Sequence, residues 1–345
     1  MWGVRGGMRK TLGTVVLALG TLVAGVLTGQ GTAAHADTQV RIMLAGDSIT
    51  QGFDGDFTWR YRLAQEFGRQ QVPVDFVGPR HYTYGGSDAY LATGWDSDHD
   101  AKGGTLLGSQ LRYITADMTA YRPDVLVALY GTNDLLSGAS PDQLMDRWRE
   151  YVEKARAVRP DVTLVLGEVY SGLIRTRAEA NAELDALAAE LTTEESPVFV
   201  ADLDSPEMVV ARDTYDRTHP TPTGETLIAQ RVAEDLHASG VLPAVPQIAR
   251  AYVPWTPPVR AAVHRAGHTL SIGWRRTKHR YRAREIRVRW TNVRTHRTTT
   301  TRWMRWDRHL RTRPLTRGTY EVQLQASRRT MKSVWGPPVY RRIPR

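Results

Sequence analysis

The chain of 345 residues contains no cysteine. This absence excludes a disulfide framework, a lipid-modified cysteine, a thiolate metal site and a cysteine nucleophile. Long apolar runs are also scarce, since the single one spans residues 12–27, near the amino terminus. The remainder must therefore be stabilised by ordinary hydrophobic cores, for which a hydrophobic content of 41% is sufficient.

The apolar run lies in the pattern of an export signal. Arg5, Arg9 and Lys10 precede it, and the small-residue sequence AHA follows at residues 34–36. This pattern is typical of a secretory signal peptide over residues 1–36, cleaved at its carboxyl end. An uncleaved membrane anchor is the alternative, because the run approaches the roughly 20 residues that span a bilayer. The cleavage sequence favours a secreted, extracellular protein without a transmembrane segment after signal cleavage.

Acidic residues are scarce at the carboxyl end of the chain. Residues 255–345 contain 24 Lys and Arg but three Asp and Glu, whereas residues 37–254 contain 19 and 33. The net charge of +10 therefore conceals an acidic body and a basic tail. Prolines are concentrated between them, as in a linker. The predicted organisation is a first domain over residues 37–242, a linker over 243–256 and a second domain over 257–345.

In the acidic body, five apolar runs rich in β-branched residues alternate with five amphipathic segments. Such runs are typical of strands buried on both faces, and such segments are typical of helices. The pattern predicts a three-layer α/β/α fold around a parallel sheet, whose ligands bind beyond the carboxyl ends of the strands. The predicted strands cover residues 40–45, 74–77, 125–130, 162–166 and 198–201, and the predicted helices cover 58–70, 106–119, 140–158, 177–191 and 222–238.

Three polar motifs lie where this fold would expose them. The sequence GDSI at residues 46–49 follows the first predicted strand, and GTND at 131–134 follows the third. The sequence DRTHP at residues 216–220 precedes the last predicted helix. Each motif alone is compatible with a simple turn, because its residue types favour turns. Their common position at one sheet edge indicates a site.

The residue types in these motifs fit nucleophilic catalysis. A serine nucleophile needs a base within hydrogen-bond reach, and a histidine base needs a carboxylate that fixes its tautomer. Ser48, His219 and Asp216 are therefore the candidate catalytic residues, since the spacing of three residues lets Asp216 and His219 meet on a turn. The Asn133 side chain can donate an N–H to a developing oxyanion.

The three motifs, in this order and at this wide spacing, resemble the SGNH or GDSL hydrolases over residues 40–239. The resemblance implies a flavodoxin-like hydrolase domain over residues 37–242 and a serine esterase or lipase without a cofactor. It implies an oxyanion hole formed by the Ser48 N–H, the Asn133 side chain and a glycine N–H. Gly104 is preferred to Gly103 for that role. The nucleophile signature of the α/β-hydrolases, GxSxG, is absent.

In the mechanism that the resemblance implies, His219 takes the Ser48 proton and an acyl-enzyme forms and is hydrolysed. The alternative is a non-catalytic cell-wall or polysaccharide binding protein on the same scaffold, and the presence of the whole residue set favours the enzyme. Lipid, thioester, carbohydrate acetyl and phospholipid substrates all stay open.

Two loops are candidates to line the site. Residues 53–57 follow the nucleophile directly, although a solvated acidic turn is an equal alternative. The segment 79–102 is rich in aromatic residues and suggests a wall for a sugar or acyl group, formed by Tyr82, Tyr84, Tyr90 and Trp95. Its residues 96–100 alternate carboxylates like a calcium loop but lack the rest of that pattern, so no metal site is predicted.

The basic tail has the pattern of an all-β domain. Strand-like segments cover residues 269–274, 286–290, 299–303 and 319–326. Trp274, Tyr281, Tyr320 and the sequence SVW at 333–335 resemble landmarks of fibronectin type III-like sandwiches. Its charge predicts attachment to an anionic cell-wall polymer, polysaccharide or lipid surface, with a merely solvated basic face as the alternative. Nucleic acid is disfavoured, because no nucleic-acid motif accompanies the charge.

Overall fold

The structure, a computed structural model, describes residues 39–53, 56–84, 86, 90, 92–248, 259–274, 283–306, 309–328 and 331–344. They belong to one structural unit, Thr38–Arg345. The predicted signal peptide, residues 249–256 of the predicted linker and Tyr281 lie outside the described residues. Within the described part, no helix has the length and apolar character needed to cross a membrane.

The acidic body contains six strands and nine helices within the described residues. The strands are β1 Val40–Gly46, β2 Val74–Val77, β3 Asp100–Ala101, β4 Val125–Leu129, β5 Thr163–Gly167 and β6 Val198–Ala201. The helices are α1 Ser48–Gln51, α2 Trp59–Gln70, α3 Leu107–Gln110, α4 Ile114–Tyr121, α5 Thr132–Leu136, α6 Pro141–Val158, α7 Arg177–Leu191, α8 Val210–Asp213 and α9 Pro222–Ala238.

The six strands form one parallel sheet in the order β2-β1-β4-β5-β6, with β3 pairing beside the end of β1. The chain leaves β1 toward one side of the sheet and later returns to its other side with β4. This reversal creates a crevice at the carboxyl ends of β1 and β4, where ligands bind in open α/β sheets. The parallel sheet with its flanking helices confirms the predicted α/β/α fold.

Separate hydrophobic clusters cover the two faces of the sheet. On one face, Trp148 and Tyr151 of α6 are fully buried beside residues of α4 and α7. On the other, Trp59 and Phe67 of α2 pack with the apolar side of α9. Both clusters include residues from the strands, because strands in a parallel sheet alternate their side chains between faces. The sheet is therefore held rigidly beneath its carboxyl edge.

The predicted helix over residues 106–119 is wrong, since this segment forms two short helices, α3 and α4, separated by a turn. Leu107, Ile114 and Met118 are all buried, so the apolar spacing fitted one helix as well as two. The Asp134 carboxylate accepts hydrogen bonds from the backbone of Leu107 and Gly108, which fixes α3 separately. A capping box of Ser140 and Gln143 starts α6.

The basic tail is an antiparallel region with two sheets. Its strands are β7 Ala261–Ala266, β8 Thr269–Trp274, β9 Glu285–Asn292, β10 Thr298–Thr300, β11 Met304–Arg305, β12 Leu310–Arg311, β13 Gly318–Arg328, β14 Met331–Lys332 and β15 Val339–Ile343. One sheet has the order β10-β9-β13-β14, with β11 on β9 and β15 on β13, and the other has the order β12-β8-β7. Residues from both sheets share one hydrophobic cluster.

Part of the predicted linker is tied to the body. The Gln70 side chain donates to the carbonyl of Ala244 at 2.9 Å, and Ile248 N–H donates to the Gln230 side chain at 2.9 Å. These bonds join residues 243–248 to α2 and α9. The domain boundaries at residues 242 and 257 stay predictions.

Candidate active site

Ser48 lies at the carboxyl edge of the sheet, two residues after β1 ends. A side chain at Gly46 would lie 2.2 Å from the Thr50 hydroxyl and 2.8 Å from the Leu129 carbonyl, so glycine permits this tight exit from the strand. Asp47 then caps α1 by accepting the Ile49 N–H at 2.8 Å. The turn therefore presents Ser48 as the first residue of α1, beside the crevice.

The structure brings the three predicted catalytic side chains into one hydrogen-bond chain. The Ser48 Oγ lies 2.8 Å from the His219 Nε2, and the His219 Nδ1 lies 2.8 Å from the Asp216 Oδ2. The other Asp216 oxygen accepts the backbone N–H groups of His219, at 2.7 Å, and of Thr218, at 3.2 Å. Each bond lies within normal hydrogen-bond range, so the imidazole bridges the hydroxyl and the carboxylate.

The carboxylate in this chain is held in its ionised form. Burial acts to raise the pKa of Asp216, but the hydrogen bonds and charge of His219 and the Thr218 N–H lower it to about 2. An ionised carboxylate beside Nδ1 requires the imidazole proton to be on Nδ1. The unprotonated Nε2 of His219 is then directed at the Ser48 hydroxyl, where it can accept a proton.

Aromatic rings enclose the imidazole. The His219 ring stacks on Tyr215, with a centroid distance of 5.8 Å and an interplanar angle of 16°. Phe53 meets the His219 ring edge-on at 4.9 Å and contacts Tyr84 at 5.3 Å. Phe53 is 4% exposed, so the loop after α1 is buried here and the alternative of a solvated acidic turn is wrong for this residue. Asp54 and Gly55 lie outside the described residues.

Asn133 lies near the nucleophile turn and is fixed by it. Its Nδ2 donates to the Asp47 Oδ2 at 2.8 Å and to the Thr105 carbonyl at 3.1 Å. Burial raises the pKa of Asp47 to about 6, against the opposing effects of the Ile49 N–H and His219. Because both N–H groups of the amide are engaged, donation to an oxyanion would require one bond to be exchanged, and the longer bond to Thr105 is the weaker one.

The glycine pair at residues 103 and 104 passes directly beside Ser48. A side-chain carbon at Gly103 would lie 3.4 Å from the Ser48 Cβ and 2.1 Å from the Tyr84 ring. The Gly103 N–H donates to the Gln51 side chain at 2.7 Å. Within the described part of the chain, Gly104 N–H has no acceptor, and its φ of +81° suits glycine. Gly104 therefore has the N–H that a substrate oxygen can use.

Asp134 is a buried residue whose role the sequence did not predict. It is fully buried, accepts the backbone of α3 and binds the Arg147 guanidinium at 2.7 Å. The contact holds the segment after Gly104 against the motif that contains Asn133. Gln51 was likewise missed as a neighbour of Gly103, whereas Tyr84 belongs to the predicted aromatic wall and does lie beside Gly103. For Asp134, its place in the GTND motif was the available signal.

The other aromatic residues of the segment 79–102 lie farther from Ser48 in the contact network. Trp95 packs against Tyr61 at 5.5 Å and against Tyr90 at 5.4 Å, beside the Arg60 guanidinium. In the same segment, the Asp96 carboxylate accepts the backbone N–H groups of Phe76 and Asp98. No group of three or more His, Asp or Glu suited to a metal ion occurs among the residues the structure describes.

A polar cleft of about 460 Å³ begins at the glycine pair. It extends away from Ser48 between the residues after β2 and the α3–α4 segment. Its lining includes Arg80, Lys102, Ser109, Gln110, Arg112 and Asp117. Burial and the nearby Asp100 raise the pKa of Asp117 to about 6. Next to Gly104, the cleft therefore offers hydrogen-bonding groups of positive and of negative charge.

The sequence profile of the GDSL-like Lipase/Acylhydrolase family matches residues 44–227, more than half of the chain. The chain belongs to this family. It is a GDSL-type serine esterase, and the matched residues contain Ser48, Asn133, Asp216 and His219. The search of curated proteins gave no match to the esterase.

Solved structures share the fold of this esterase. A family 3 carbohydrate esterase from Talaromyces cellulolyticus has a TM-score of 0.53 at 24% identity, covering 58% of this chain and 98% of the other. An acetyl esterase mutant with an acetate ion has a TM-score of 0.51 at 24% identity over the same shares. A family 3 carbohydrate esterase from Clostridium thermocellum has a TM-score of 0.50 at 21% identity, covering 59% and 99%.

Proposed function

We propose that this esterase is an exported enzyme that removes short acyl groups from carbohydrate esters, with Ser48 as nucleophile, His219 as base and Asp216 as its orienting carboxylate. The observation that carries the proposal is the hydrogen-bond chain from Ser48 through His219 to Asp216, with both links at 2.8 Å. A hydroxyl, an imidazole and an ionised carboxylate in this order are the arrangement that activates a serine.

The first half of the reaction forms an acyl-enzyme. His219 Nε2 takes the Ser48 proton while Oγ bonds to the ester carbonyl carbon, and the carbonyl electrons move to its oxygen. The tetrahedral species collapses when His219 gives that proton to the leaving alcohol oxygen, whose bond to carbon breaks. Water then attacks the acyl group with His219 again as base, releasing the acid and restoring Ser48.

The negative oxygen of each tetrahedral species is held by three donors. They are the backbone N–H groups of Ser48 and Gly104 and the Asn133 side chain, which exchanges its bond to Thr105 for a bond to the oxyanion. Preorganised donors of this kind are worth about 10² to 10³ in rate each. Support comes from the geometry of Gly104, whose N–H has no acceptor among the described residues, and from the Asp47 contact that holds Asn133.

The preference for a short acyl group and a sugar alcohol has two supports. Tyr84 and Phe53 crowd the space beside Ser48, which leaves little room for a long acyl chain. The cleft of about 460 Å³ beyond Gly104 is lined by polar groups, as the hydroxyl groups of a sugar require. This choice agrees with the structural neighbours, two of which are carbohydrate esterases and one an acetyl esterase.

The test is the hydrolysis of 4-nitrophenyl esters from acetate to palmitate, together with acetate release from an acetylated polysaccharide. We expect the wild type to prefer acetate, Ser48→Ala to lose activity, and Ser137→Ala, at an exposed serine, to retain it. A palmitate optimum would overturn the short-acyl proposal and favour a lipase. Undiminished activity in Ser48→Ala would overturn the nucleophile, and binding of the polysaccharide without hydrolysis would favour the non-catalytic alternative.

The antiparallel region attaches the esterase to an anionic polymer outside the cell. A cleft of about 450 Å³ in this region is lined by Arg294, Arg317 and Arg342. All three are exposed, and no acidic side chain pairs with them within the described part of the chain. Three guanidinium groups around one cleft favour a chain of carboxylates or phosphates over a neutral ligand.

Retention on a polyanion resin measures this attachment. The triple substitution of Arg294, Arg317 and Arg342 by Gln is expected to elute at clearly lower salt than the wild type, with unchanged hydrolysis of a soluble ester. Equal elution of the two proteins would overturn the assignment of this cleft. Export is tested by mass spectrometry of the protein in the culture medium. The measured mass is expected to be that of a chain that begins at Asp37.

A further inference from the structure

Arg328, at the end of β13, is an arginine of the antiparallel region that lies against the esterase body. It is 2% exposed, whereas Arg294, Arg317 and Arg342 of the same region face solvent. Its Nη1 binds the two oxygens of Asp56 at 3.1 Å and 3.4 Å, across a sequence separation of 272 residues. Asp56 belongs to the loop that follows the nucleophile helix α1. The two regions of the chain are therefore joined by a buried ion pair next to the active site.

Burying such a pair adds little to the stability of the fold by itself, which suggests that the arrangement has a further use. Each ion loses its hydration, and in many proteins the attraction between the charges does not exceed that loss. The side chains of Asp56 and Arg328 are 4% and 3% exposed, so water compensates neither. The buried Glu225 side chain lies close enough to interact electrostatically with both Asp56 and Arg328. Buried ion pairs of this kind fix one geometry among several in some proteins.

This ion pair fixes the positions of two aromatic rings, those of Tyr215 and Phe53. The Arg328 guanidinium carbon lies 3.9 Å from the centre of the Tyr215 ring and 5.3 Å from the centre of the Phe53 ring. A desolvated cation over an aromatic face is held strongly. Asp56 fixes the guanidinium, and the guanidinium in turn contacts the Tyr215 ring.

Both rings are the supports of the His219 imidazole. Tyr215 stacks on the His219 ring, and Phe53 meets that ring at 4.9 Å. The Tyr215 N–H also donates to the His219 carbonyl at 3.0 Å. Asp56 therefore contacts Arg328, and Arg328 contacts the rings of Tyr215 and Phe53. These two rings in turn contact His219. Without the Arg328 guanidinium, the Tyr215 ring that stacks on the imidazole would be held by fewer contacts.

We infer that Arg328 is a positioning residue for catalysis: from the antiparallel region it clamps Tyr215 and Phe53 and thereby holds the His219 imidazole toward Ser48. The inference rests on the proposed role of His219 as the base. It makes the antiparallel region part of the catalytic unit, in addition to its attachment role. A displacement of about 1 Å in a reacting group can reduce a rate about 10²-fold, so a clamp behind the base has a measurable effect.

The test compares Arg328→Met, Arg328→Lys and the matched control Arg287→Met in the otherwise unaltered protein. Arg287 also lies over tryptophan rings in the antiparallel region, at 4.7 Å and 5.1 Å, and is not part of this contact chain. Initial rates on 4-nitrophenyl acetate give kcat and KM, and titration with a fluorophosphonate counts the sites that are folded and reactive. Rates are expressed per titrated site.

We expect Arg328→Met to lower kcat about 10- to 100-fold with KM changed by less than about twofold. Arg328→Lys is expected to regain most of the loss, because it retains the cation, and Arg287→Met to equal the wild type. A merely structural role would lower the melting temperature and the number of titrated sites, with an unchanged kcat per site. That result, or equal losses in Arg328→Met and Arg287→Met, would overturn the inference.

If Arg328→Met gives no folded protein, the double variant Asp56→Asn with Arg328→Met removes both buried charges together. The inference expects the reduced kcat to persist in it, because the cation over Tyr215 is still missing. A wild-type kcat in the double variant would overturn the inference. A wild type that hydrolyses no ester would instead overturn the proposed function, and the two failures are thereby distinguishable.

Discussion

The acidic α/β body and the basic antiparallel region place their arginines in different surroundings. In the body, Arg60 is fully buried and donates to the carbonyls of Thr50 and Ser97. In the antiparallel region, the half-buried Arg287 and Arg289 lie over the Trp335 ring, at 5.1 Å and 4.3 Å. Residues 37–254 contain 33 acidic residues for 19 basic ones, whereas residues 255–345 contain three acidic residues for 24 basic ones.

Buried and exposed arginines therefore have different electrostatic roles in this protein. A buried arginine with fixed partners holds the loops beyond the strand ends in one geometry, which a catalytic site requires. An exposed arginine without a partner attracts anions over a distance that salt limits to about 10 Å at 0.1 M. Substitutions in the body should therefore change kcat and leave polyanion retention unchanged, and substitutions of exposed arginines should do the reverse. Arg328 is the exception that joins the two regions.

The largest expected effect is that of Asp216→Asn in the body. Asparagine has no charge to stabilise the imidazolium, and its amide can favour the wrong His219 tautomer. We expect kcat on 4-nitrophenyl acetate to fall about 10³- to 10⁴-fold, with polyanion retention unchanged. The control is Asp161→Asn, at a surface ion pair with Arg159. A loss of less than tenfold in Asp216→Asn would show that the carboxylate is not needed by the base.

The next largest effect is expected for Asn133→Ala. The variant loses an oxyanion donor, and kcat should fall about 10²- to 10³-fold with a small change in KM. The melting temperature should also fall, because the buried Asp47 carboxyl loses the Asn133 hydrogen bond at 2.8 Å. Kinetics per titrated site and thermal unfolding separate these effects. A reduced melting temperature with a wild-type kcat would restrict Asn133 to a structural role.

The fold of the body could be predicted from the sequence because its strands are continuous apolar runs. The observed β2 and β6 have the predicted bounds, β1 and β4 differ by one residue at the carboxyl end, and β5 is shifted by one residue. The triad candidates could be found because each lies in a short motif that follows or precedes such an element. β3 has two residues and carries no periodic signal, so it was missed.

Contacts between distant motifs could not be predicted in the same way. The bond from Asn133 to Asp47 and the bond from Gly103 to Gln51 depend on which loops meet and on side-chain rotamers. In the antiparallel region, β7 and β15 were missed because arginines and a histidine interrupt the alternation of apolar residues. The Arg328 contact was hidden for a related reason, since one arginine among many carries no sequence signal of burial.

A smaller effect distinguishes the two glycines beside Ser48. Gly103→Ala places a methyl group 2.1 Å from the Tyr84 ring, so the ring or the loop must move, and kcat/KM should fall up to about tenfold. At Gly104 the added methyl group meets nothing within 4 Å, and the cost is the backbone strain at a φ of +81°. Gly104→Ala should therefore lower the melting temperature slightly with a smaller loss of kcat/KM. A larger loss of kcat/KM in Gly104→Ala than in Gly103→Ala would show that the Tyr84 ring and the loop can move without harm to the site.

The last expected effect is on stability and not on rate, and it concerns the buried acid where the body meets the antiparallel region. Burial, and after it the charge of Asp56, raise the pKa of Glu225 from 4.5 to about 8 against the opposing charges of Arg62 and Arg328. Between these pH values the unfolded chain ionises Glu225 while the folded protein keeps it protonated. The free energy of unfolding should therefore fall as pH rises, by up to about 1.4 kcal/mol per pH unit.

Glu225→Gln removes this titration, so urea unfolding between pH 5 and pH 8 should show a flatter pH dependence than in the wild type. Burial also raises the pKa values of Glu168 and Asp235 to about 7, so part of the slope persists in the variant and the difference between the two proteins is the relevant quantity. Glu194→Gln, at an exposed position, should retain the wild-type slope. Parallel curves for Glu225→Gln and the wild type would mean that Glu225 is ionised in the fold, with Arg62 and Arg328 together outweighing its burial.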